Sequence, residues 1–195
     1  NNYFGYLLDR YRGSPTNHAI INGVAESIVG DGLTSPFAHK HPASYAKAKL
    51  MFPDGDLERW AFDLKCFGFY VQQIIDEGAT GEIDYVIYTP VQNWRSGKAD
   101  ANGDIHWMFY SDDWTQINKK QFTPRPFPVY NPDMPHEISI YTVKPYRTGS
   151  FYYPTVDYQG CLQYANLEEE IANFHFNNIM NGLSPSMLIN FNNGD

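Results

Sequence analysis

The chain has 195 residues, of which 43% are hydrophobic and 16% aromatic, so one domain can bury a core without disulfide or metal staples. Its 14 Lys and Arg against 22 Asp and Glu give a net charge of -8. Because nucleic-acid binding depends on neutralising phosphates, this charge argues against a surface that grips DNA or RNA. No stretch is apolar for long enough to span a bilayer, so no membrane partner is expected.

Two helices are predicted in the first quarter of the chain. The first is capped by Ser14, carries Pro15 in its first turn and ends at Gly30, and its apolar residues fall on one stripe. The second covers roughly residues 43–52 and ends before a proline.

A third, amphipathic helix is predicted after Pro53. Asp54 and Asp56 are placed at its cap, and Gly68 ends the pattern. Helical spacing on one face indicates that this helix packs on a sheet. The residues with that spacing are Leu57, Trp60, Ala61, Leu64 and Phe67.

After Gly68 the period of the apolar residues changes from helical to extended. Residues 69–75 and 83–88, joined by a turn at 77–81, predict a β-hairpin. A second hairpin is predicted from residues 91–95 and 104–110 around Asn102-Gly103, a dipeptide typical of tight hairpin turns.

The last third of the chain mixes extended and helical patterns. Five prolines in residues 123–136 exclude regular helix and predict an extended surface connector. Residues 137–144 alternate like a strand. Residues 155–180 predict one bent helix or two, with Asn166 capping the acids at 168–170, and residues 186–191 predict a final strand.

Cys66 and Cys161 stand far apart, in no metal or redox spacing. This arrangement favours buried free thiols and a reducing compartment over a disulfide framework.

Metal-binding motifs are only partial. Asp100, Asn102 and Asp104 resemble the opening of a calcium loop, but Ile105 replaces its glycine and Ser111 its glutamate, so a polar hairpin tip is the favoured interpretation. His39 and His41 can both face a metal, yet the other histidines show no complementary spacing, and solvated loop histidines are favoured.

Catalytic motifs are equally partial. Residues 182–186 approach a nucleophile elbow, but its closing glycine is absent, and the proline that follows the serine removes the backbone N–H that would form the oxyanion hole. Asp112-Asp113 and the acids at 168–170 are candidate acid/base pairs for a hydrolase, although adjacent carboxylates are more typical of turns and helix starts.

The tryptophans suggest an alternative of another class, a carbohydrate-binding module that stacks sugars on exposed rings. Trp94, Trp107 and Trp114 are the candidates, although most of the aromatic side chains are expected in the core.

Several segments taken together resemble the portal proteins of tailed double-stranded DNA bacteriophages and prophages, particularly those of phages of Bacteroidetes-type hosts. The firmest stretches are Phe151-Tyr152-Tyr153, Asp157-Tyr158, 170–178 (EIANFHFNN) and 181–194 (NGLSPSMLINFNNG). Weaker matches are the helix at 17–32, the helix-to-strand turn at 67–71, Tyr88-Thr89-Pro90, Arg95-Ser96-Gly97-Lys98, Tyr110-Ser111 and Trp114.

The resemblance implies an α+β, wing-like domain over residues 1–195, with several helices on a mainly antiparallel sheet. Its parts are N-terminal helices in 1–67, a β-rich part in 68–144, and a helical segment with a final strand in 155–191. The chain starts without methionine and ends after an apolar run, so we expect a fragment that lacks the family's stem, clip and crown.

The resemblance also implies a function without catalysis. Portal proteins form a ring, usually dodecameric, at one capsid vertex, through which DNA is packaged and ejected. The partners implied are further copies of the chain, the terminase large subunit, capsid and tail or adaptor proteins, and double-stranded DNA that slides past without being gripped. The implied location is the virion, and the host cytoplasm during assembly. No catalytic, cofactor-binding or metal residue and no cofactor is predicted.

Overall fold

The structure, a computed structural model that describes residues 3–182, is an α+β fold of helices packed with two antiparallel sheets, as predicted. The helices are α1 Tyr3–Gly13, α2 Pro15–Val29, α3 Pro42–Met51, α4 Asp54–Phe67 and α5 Leu162–Met180. The strands are β1 Tyr70–Ile75, β2 Tyr85–Tyr88, β3 Trp94–Ser96, β4 Trp107–Tyr110, β5 Arg125–Pro128 and β6 Ile138–Val143.

Each sheet has three strands. The first has the order β2-β1-β6 and the second β3-β4-β5, so both predicted hairpins are confirmed. In the first sheet Ile74 pairs with Val86 on one side and Ser139 on the other. The sheets meet where Val129 bridges Ile140 and the Tyr130 amide donates to the Ile140 carbonyl at 2.9 Å.

The first helix, α1, is not predicted by the sequence pattern. Only Phe4 and Leu7 are fully buried on it, and Gly5 interrupts its first turn, so its apolar stripe is short. Its place in the fold comes from tertiary packing, because α1 contacts α2, α4 and α5.

The predicted ends of α2 are confirmed. The Ser14 hydroxyl accepts a hydrogen bond from the Asn17 amide at 3.0 Å, and Pro15 opens the first turn. At the other end Gly30 has φ 50°, and its amide donates to the Glu26 carbonyl.

The start of α4 differs from the prediction. Pro53 is the cap residue, and Asp54 and Asp56 lie in the first turn, where carboxylates suit the helix dipole. Asp56 also accepts a hydrogen bond from the Tyr88 amide at 3.3 Å, which ties β2 to the helix. Gly68 ends α4 in the left-handed conformation, as expected.

Two predictions for the β-rich part are wrong in detail. Residues 91–93 form a 3-10 turn, and the strand begins only at Trp94. Residues 125–128, expected in an unpaired connector, form β5, in which Pro126 and Pro128 lie opposite Phe109 and Trp107 of β4. An edge strand tolerates proline because the missing amide faces away from the ladder.

The C-terminal helix starts later than predicted. A 3-10 turn, Gln159–Cys161, precedes α5, which is one continuous helix. Asn166 is therefore inside the helix and does not cap it, and the acids at 168–170 lie mid-helix. The predicted strand at 186–191 lies outside the described residues.

The main core lies between the helices and both sheets, and a smaller cluster of Trp60, Ile74 and Val86 lies under α4. Cys66 is buried in the main core, but Cys161 is exposed on its 3-10 turn, so the prediction of two buried thiols holds only for Cys66. Within residues 3–182, no helix combines the length and the apolar character that crossing a membrane requires.

Candidate assembly surface

The candidate metal ligands do not converge. His39 and His41 are exposed, and the described part of the chain contains no cluster of metal-binding side chains. At the tip of the second hairpin, one Asp100 oxygen accepts the amides of Asn102 and Asp104 at 2.8 and 2.9 Å. The other lies 2.9 Å from His106 Nε2, and this contact is the main reason that the pKa of Asp100 falls to about 2. The hairpin tip is therefore a polar turn whose Asp100 side chain is hydrogen-bonded within the tip.

The candidate acid pair at Asp112-Asp113 also has structural partners. Asp112 accepts the Tyr110 hydroxyl at 2.7 Å. Asp113 accepts the Thr115 amide at 2.8 Å and the Thr115 hydroxyl at 2.6 Å, and these bonds lower its pKa. Both carboxylates therefore have structural hydrogen-bond partners close by in sequence.

The acids of α5 join helices that are far apart in sequence. Glu168 accepts hydrogen bonds from the Ser14 and Thr16 hydroxyls, the second at 2.7 Å, and the Ser14 bond is the main reason that its pKa is lowered. Glu169 lies 2.9 Å from Arg10 Nη1. These contacts hold α5 against α1 and the start of α2. Of the suspected nucleophile elbow, only Gly182 is described.

One perturbed carboxyl, Asp63, is not singled out by the sequence. It is 2% exposed on the buried face of α4, where its oxygen accepts the Tyr88 hydroxyl at 3.0 Å and the Val91 amide at 3.4 Å. Burial raises its pKa to about 7. The nearby Cys66 thiol has a pKa raised to about 12, also by burial, so it supplies no thiolate nucleophile. Asp63 anchors the end of β2 to α4; its helical spacing from Trp60 is the only sequence signal of this.

The tryptophans offer little stacking surface. Trp94 is 2% exposed and donates to the Thr89 hydroxyl at 2.7 Å, which confirms it as core. Trp114 is half-buried, donates to the Asn93 carbonyl, and has the Arg95 guanidinium 4.9 Å from its ring centre. Trp107, at 50% exposure, is the candidate with a large free surface. A carbohydrate site built on Trp94 and Trp114 is not supported.

A different kind of surface lies on α5. Leu162 and Ala165 are buried on one side of the helix, the side that faces α1. The opposite side carries apolar residues at helical spacing, which we call the α5 stripe. These residues are Tyr164 (65% exposed), Leu167 (52%), Ile171 (49%) and Phe174 (63%).

The second half of α5 is also unusual in charge. Residues 171–180 contain no Lys, Arg, Asp or Glu, and Phe176, Ile179 and Met180 are exposed there as well. A helix that is apolar on more than one side is normally buried. The helix therefore has the character of an element that another chain or segment covers.

A groove of about 420 Å³ lies elsewhere on the molecule, between the end of α2, the outer side of α4 and β1. In the part of the chain that the structure describes, no charged side chain lines this groove. We call it the α4 groove, and its main apolar residues are Ile28, Leu33, Phe52, Leu57, Leu64 and Tyr70. Trp60 also lines the groove, and its buried indole nitrogen has no hydrogen-bond partner among residues 3–182.

No family model and no curated protein matches the chain. The fold is nevertheless similar to solved structures. A chain of the virion of the native gene transfer agent (GTA) particle superposes with a TM-score of 0.70 at 12% identity, covering 100% of this chain and 49% of that one. A chain of the neck of the empty GTA particle, computed with C6 symmetry, gives a TM-score of 0.70 at 13% identity, covering 100% and 50%.

The chain thus spans about half the length of these structural neighbours. At such low identity the likeness concerns the fold. The whole described chain, from α1 to α5, takes part in it, so this α+β arrangement also occurs in chains of the GTA particle.

Proposed function

We propose that the chain is the wing region of a portal protein, a structural component of the ring that joins the head and tail of a tailed phage or prophage particle. The observation that carries this proposal is the fold likeness, over 100% of the chain, to chains of a GTA virion and a GTA neck. This likeness supports a structural role in a phage-like particle. The portal assignment adds the sequence resemblance, which is densest at residues 151–194.

In this role the chain binds further copies of itself, in a ring that has twelve members in most portals, rather than a small substrate. The other partners proposed are the terminase large subunit, capsid proteins, tail or adaptor proteins and double-stranded DNA. The ring occupies one vertex of the virion after assembly in the host cytoplasm. The proposed role involves no catalysis and no cofactor, and the acids discussed above have structural partners that fit it.

Electron microscopy of the full-length protein that contains this chain tests the proposal. We expect closed rings with a central channel at concentrations suitable for assembly. The 195-residue chain prepared in parallel is the control, because it spans only about half of the neighbouring chains. Monomers alone in the full-length preparation would contradict the proposal.

A further inference from the structure

We propose that the α5 stripe of one copy packs into the α4 groove of a second copy. This inference rests on the proposed self-assembly and names the two surfaces that meet. The stripe is a protruding apolar face and the groove is a recessed one. Within residues 3–182, α5 packs on α1, and both the stripe and the groove are left uncovered.

The groove wall is long enough for about two thirds of the stripe. From Tyr164 to Phe174 the stripe is about 15 Å long, at about 1.5 Å per residue. The α4 wall of the groove runs from Leu57 to Leu64, about 10 Å on the same basis. Stripe residues at positions i, i+3 and i+7 match the way a helix lies in an apolar groove. Three of the four stripe residues can therefore lie along the wall at once.

Another copy of this chain is the occupant because the proposed function brings copies together, and the absence of charged side chains on both described surfaces permits that contact. Each copy carries -8, so two copies repel one another wherever their charged surfaces approach. Among the described residues no charged side chain lines the groove, and the four stripe residues are themselves uncharged, although Glu168, Glu169 and Glu170 lie between Leu167 and Ile171 in sequence. Contact through these surfaces avoids the repulsion and covers apolar side chains on both sides.

The contact is head to tail, because the two surfaces differ. Such heterologous contacts propagate from copy to copy and close into a ring when the rotation between copies permits. Each copy would then use its stripe on one neighbour and its groove on the other.

Disulfide trapping of the 195-residue chain tests the contact. Phe174→Cys and Leu57→Cys are made separately and together in a Cys161→Ser background, which removes the exposed native thiol. Under oxidation we expect a mixture of the two single variants to give dimers, and the double variant to give a ladder of dimers, trimers and larger species on non-reducing gels. The control replaces Phe174→Cys with Ala172→Cys. Ala172 is exposed but lies outside the α5 stripe, so this variant should trap several-fold less dimer.

The controls separate the alternatives. Equal trapping with Ala172→Cys, or none with Phe174→Cys, overturns the proposal. Dimers formed by Phe174→Cys alone, at the yield of the mixture, indicate that two α5 helices pair symmetrically and also overturn it. As a measurement that does not depend on trapping, Leu167→Glu should lower self-association in sedimentation several-fold, whereas Ala172→Glu should change it little; equal effects would contradict the contact.

The outcome is distinguishable from that of the proposed function. A ladder from the double variant, with no rings from the full-length protein, supports this contact and contradicts the portal ring. Rings without trapping place the subunit contact on other surfaces and overturn this inference alone.

Discussion

Asp63 is a buried carboxyl whose proton the fold binds more tightly than the unfolded chain does. Burial raises its pKa to about 7, whereas an unfolded chain loses the same proton near pH 4. The folded state therefore binds more protons than the unfolded state between these values. The contribution of Asp63 to the free energy of unfolding falls as pH rises from about 4 to about 7, and stays low above that.

Asp63→Asn should remove this pH dependence, because the amide keeps a carbonyl acceptor for the Tyr88 hydroxyl and the Val91 amide but cannot ionise. Between pH 5 and pH 8 the free energy of unfolding of the variant should rise by about 2–3 kcal/mol relative to that of the unsubstituted chain. The reason is that keeping Asp63 protonated in the fold costs about 1.4 kcal/mol more per pH unit up to its pKa. Urea unfolding at each pH measures the difference. Asp9→Asn, at an exposed position, is the control. A difference that stays constant with pH would show that Asp63 is already ionised in the fold.

Trp94 is buried in the core and Trp107 is half exposed, so substitutions at the two positions should have different effects on stability. Trp94→Ala should lower the free energy of unfolding by about 3–5 kcal/mol, because it empties a core position and leaves the Thr89 hydroxyl without its donor. Trp107→Ala, at a half-exposed position, should change it by less than about 1 kcal/mol. Chemical denaturation measures both. Similar losses for the two variants would contradict the difference in burial.

At the scale of elements, the start of α2 depends on a residue from the other end of the described chain. Ser14 caps α2 through its own hydroxyl and also donates to Glu168 of α5. Ser14→Ala should cost about 1–2 kcal/mol of stability, as for other lost caps. Ser27→Ala, at an exposed position on the same helix, is the control and should have a smaller effect.

A double-mutant cycle checks that the cap and α5 are coupled. Glu168→Gln should destabilise the chain less in the Ser14→Ala background than in the original one, because the two side chains share a hydrogen bond. Additive effects would mean that Glu168 acts without Ser14.

The turn from α4 into β1 requires glycine at position 68. Gly68 has φ 83°, and an added Cβ would lie 3.3 Å from the Pro154 and Thr155 carbonyl oxygens. Gly68→Ala should therefore cost at least about 1–2 kcal/mol. Gly55→Ala in the first turn of the same helix meets open space and should instead stabilise by up to about 1 kcal/mol. Thermal unfolding measures both, and shifts of the same sign would refute the assignment.

Local signals explain which elements are predictable from the sequence. The helix from Pro15 has a cap, a proline and a stop glycine within itself, and the hairpin at Asn102-Gly103 has its turn dipeptide. The first helix, α1, lacks such signals and owes its place to α2, α4 and α5. The edge strand β5 is not predictable from the sequence, because prolines such as those it contains are incompatible with β-strands except at the edge of a sheet.

At the scale of the molecule, the acidic balance predicts weak contact with DNA. The isolated chain should give no mobility shift with a double-stranded DNA fragment at physiological salt, because binding of that kind requires neutralised phosphates and the net charge is -8. A lysine-rich protein of similar size serves as the positive control. Binding that weakens steeply as salt increases would show a basic surface that the overall charge conceals.

The candidate assembly surface was only partly predictable. Sequence spacing marks α5 as helical but does not show which side faces α1, because Leu162 and Ala165 are no more apolar than Leu167 and Ile171. The α4 groove is even less visible, since its walls come from α2, α4 and β1 and meet only in the fold. The acids at 168–170 indicate a helix start when only the sequence is considered. The tertiary structure shows instead that Glu168 accepts hydrogen bonds from Ser14 and Thr16 at the start of α2.

The bond between Ser14 and Glu168 joins positions 154 residues apart, and Arg10 reaches Asn166 across 156. During synthesis the ribosome releases α1 and α2 first and α5 last among these elements. Until nearly all of the described chain has emerged, the N-terminal helices lack part of their packing partners. Phe4 and Leu7 are therefore incompletely packed during that time. Contacts this distant along the chain slow folding, because the long loop between them must close first. The fold can therefore be completed only late in synthesis, after α5 has been made. Until then the apolar faces of the N-terminal helices remain exposed.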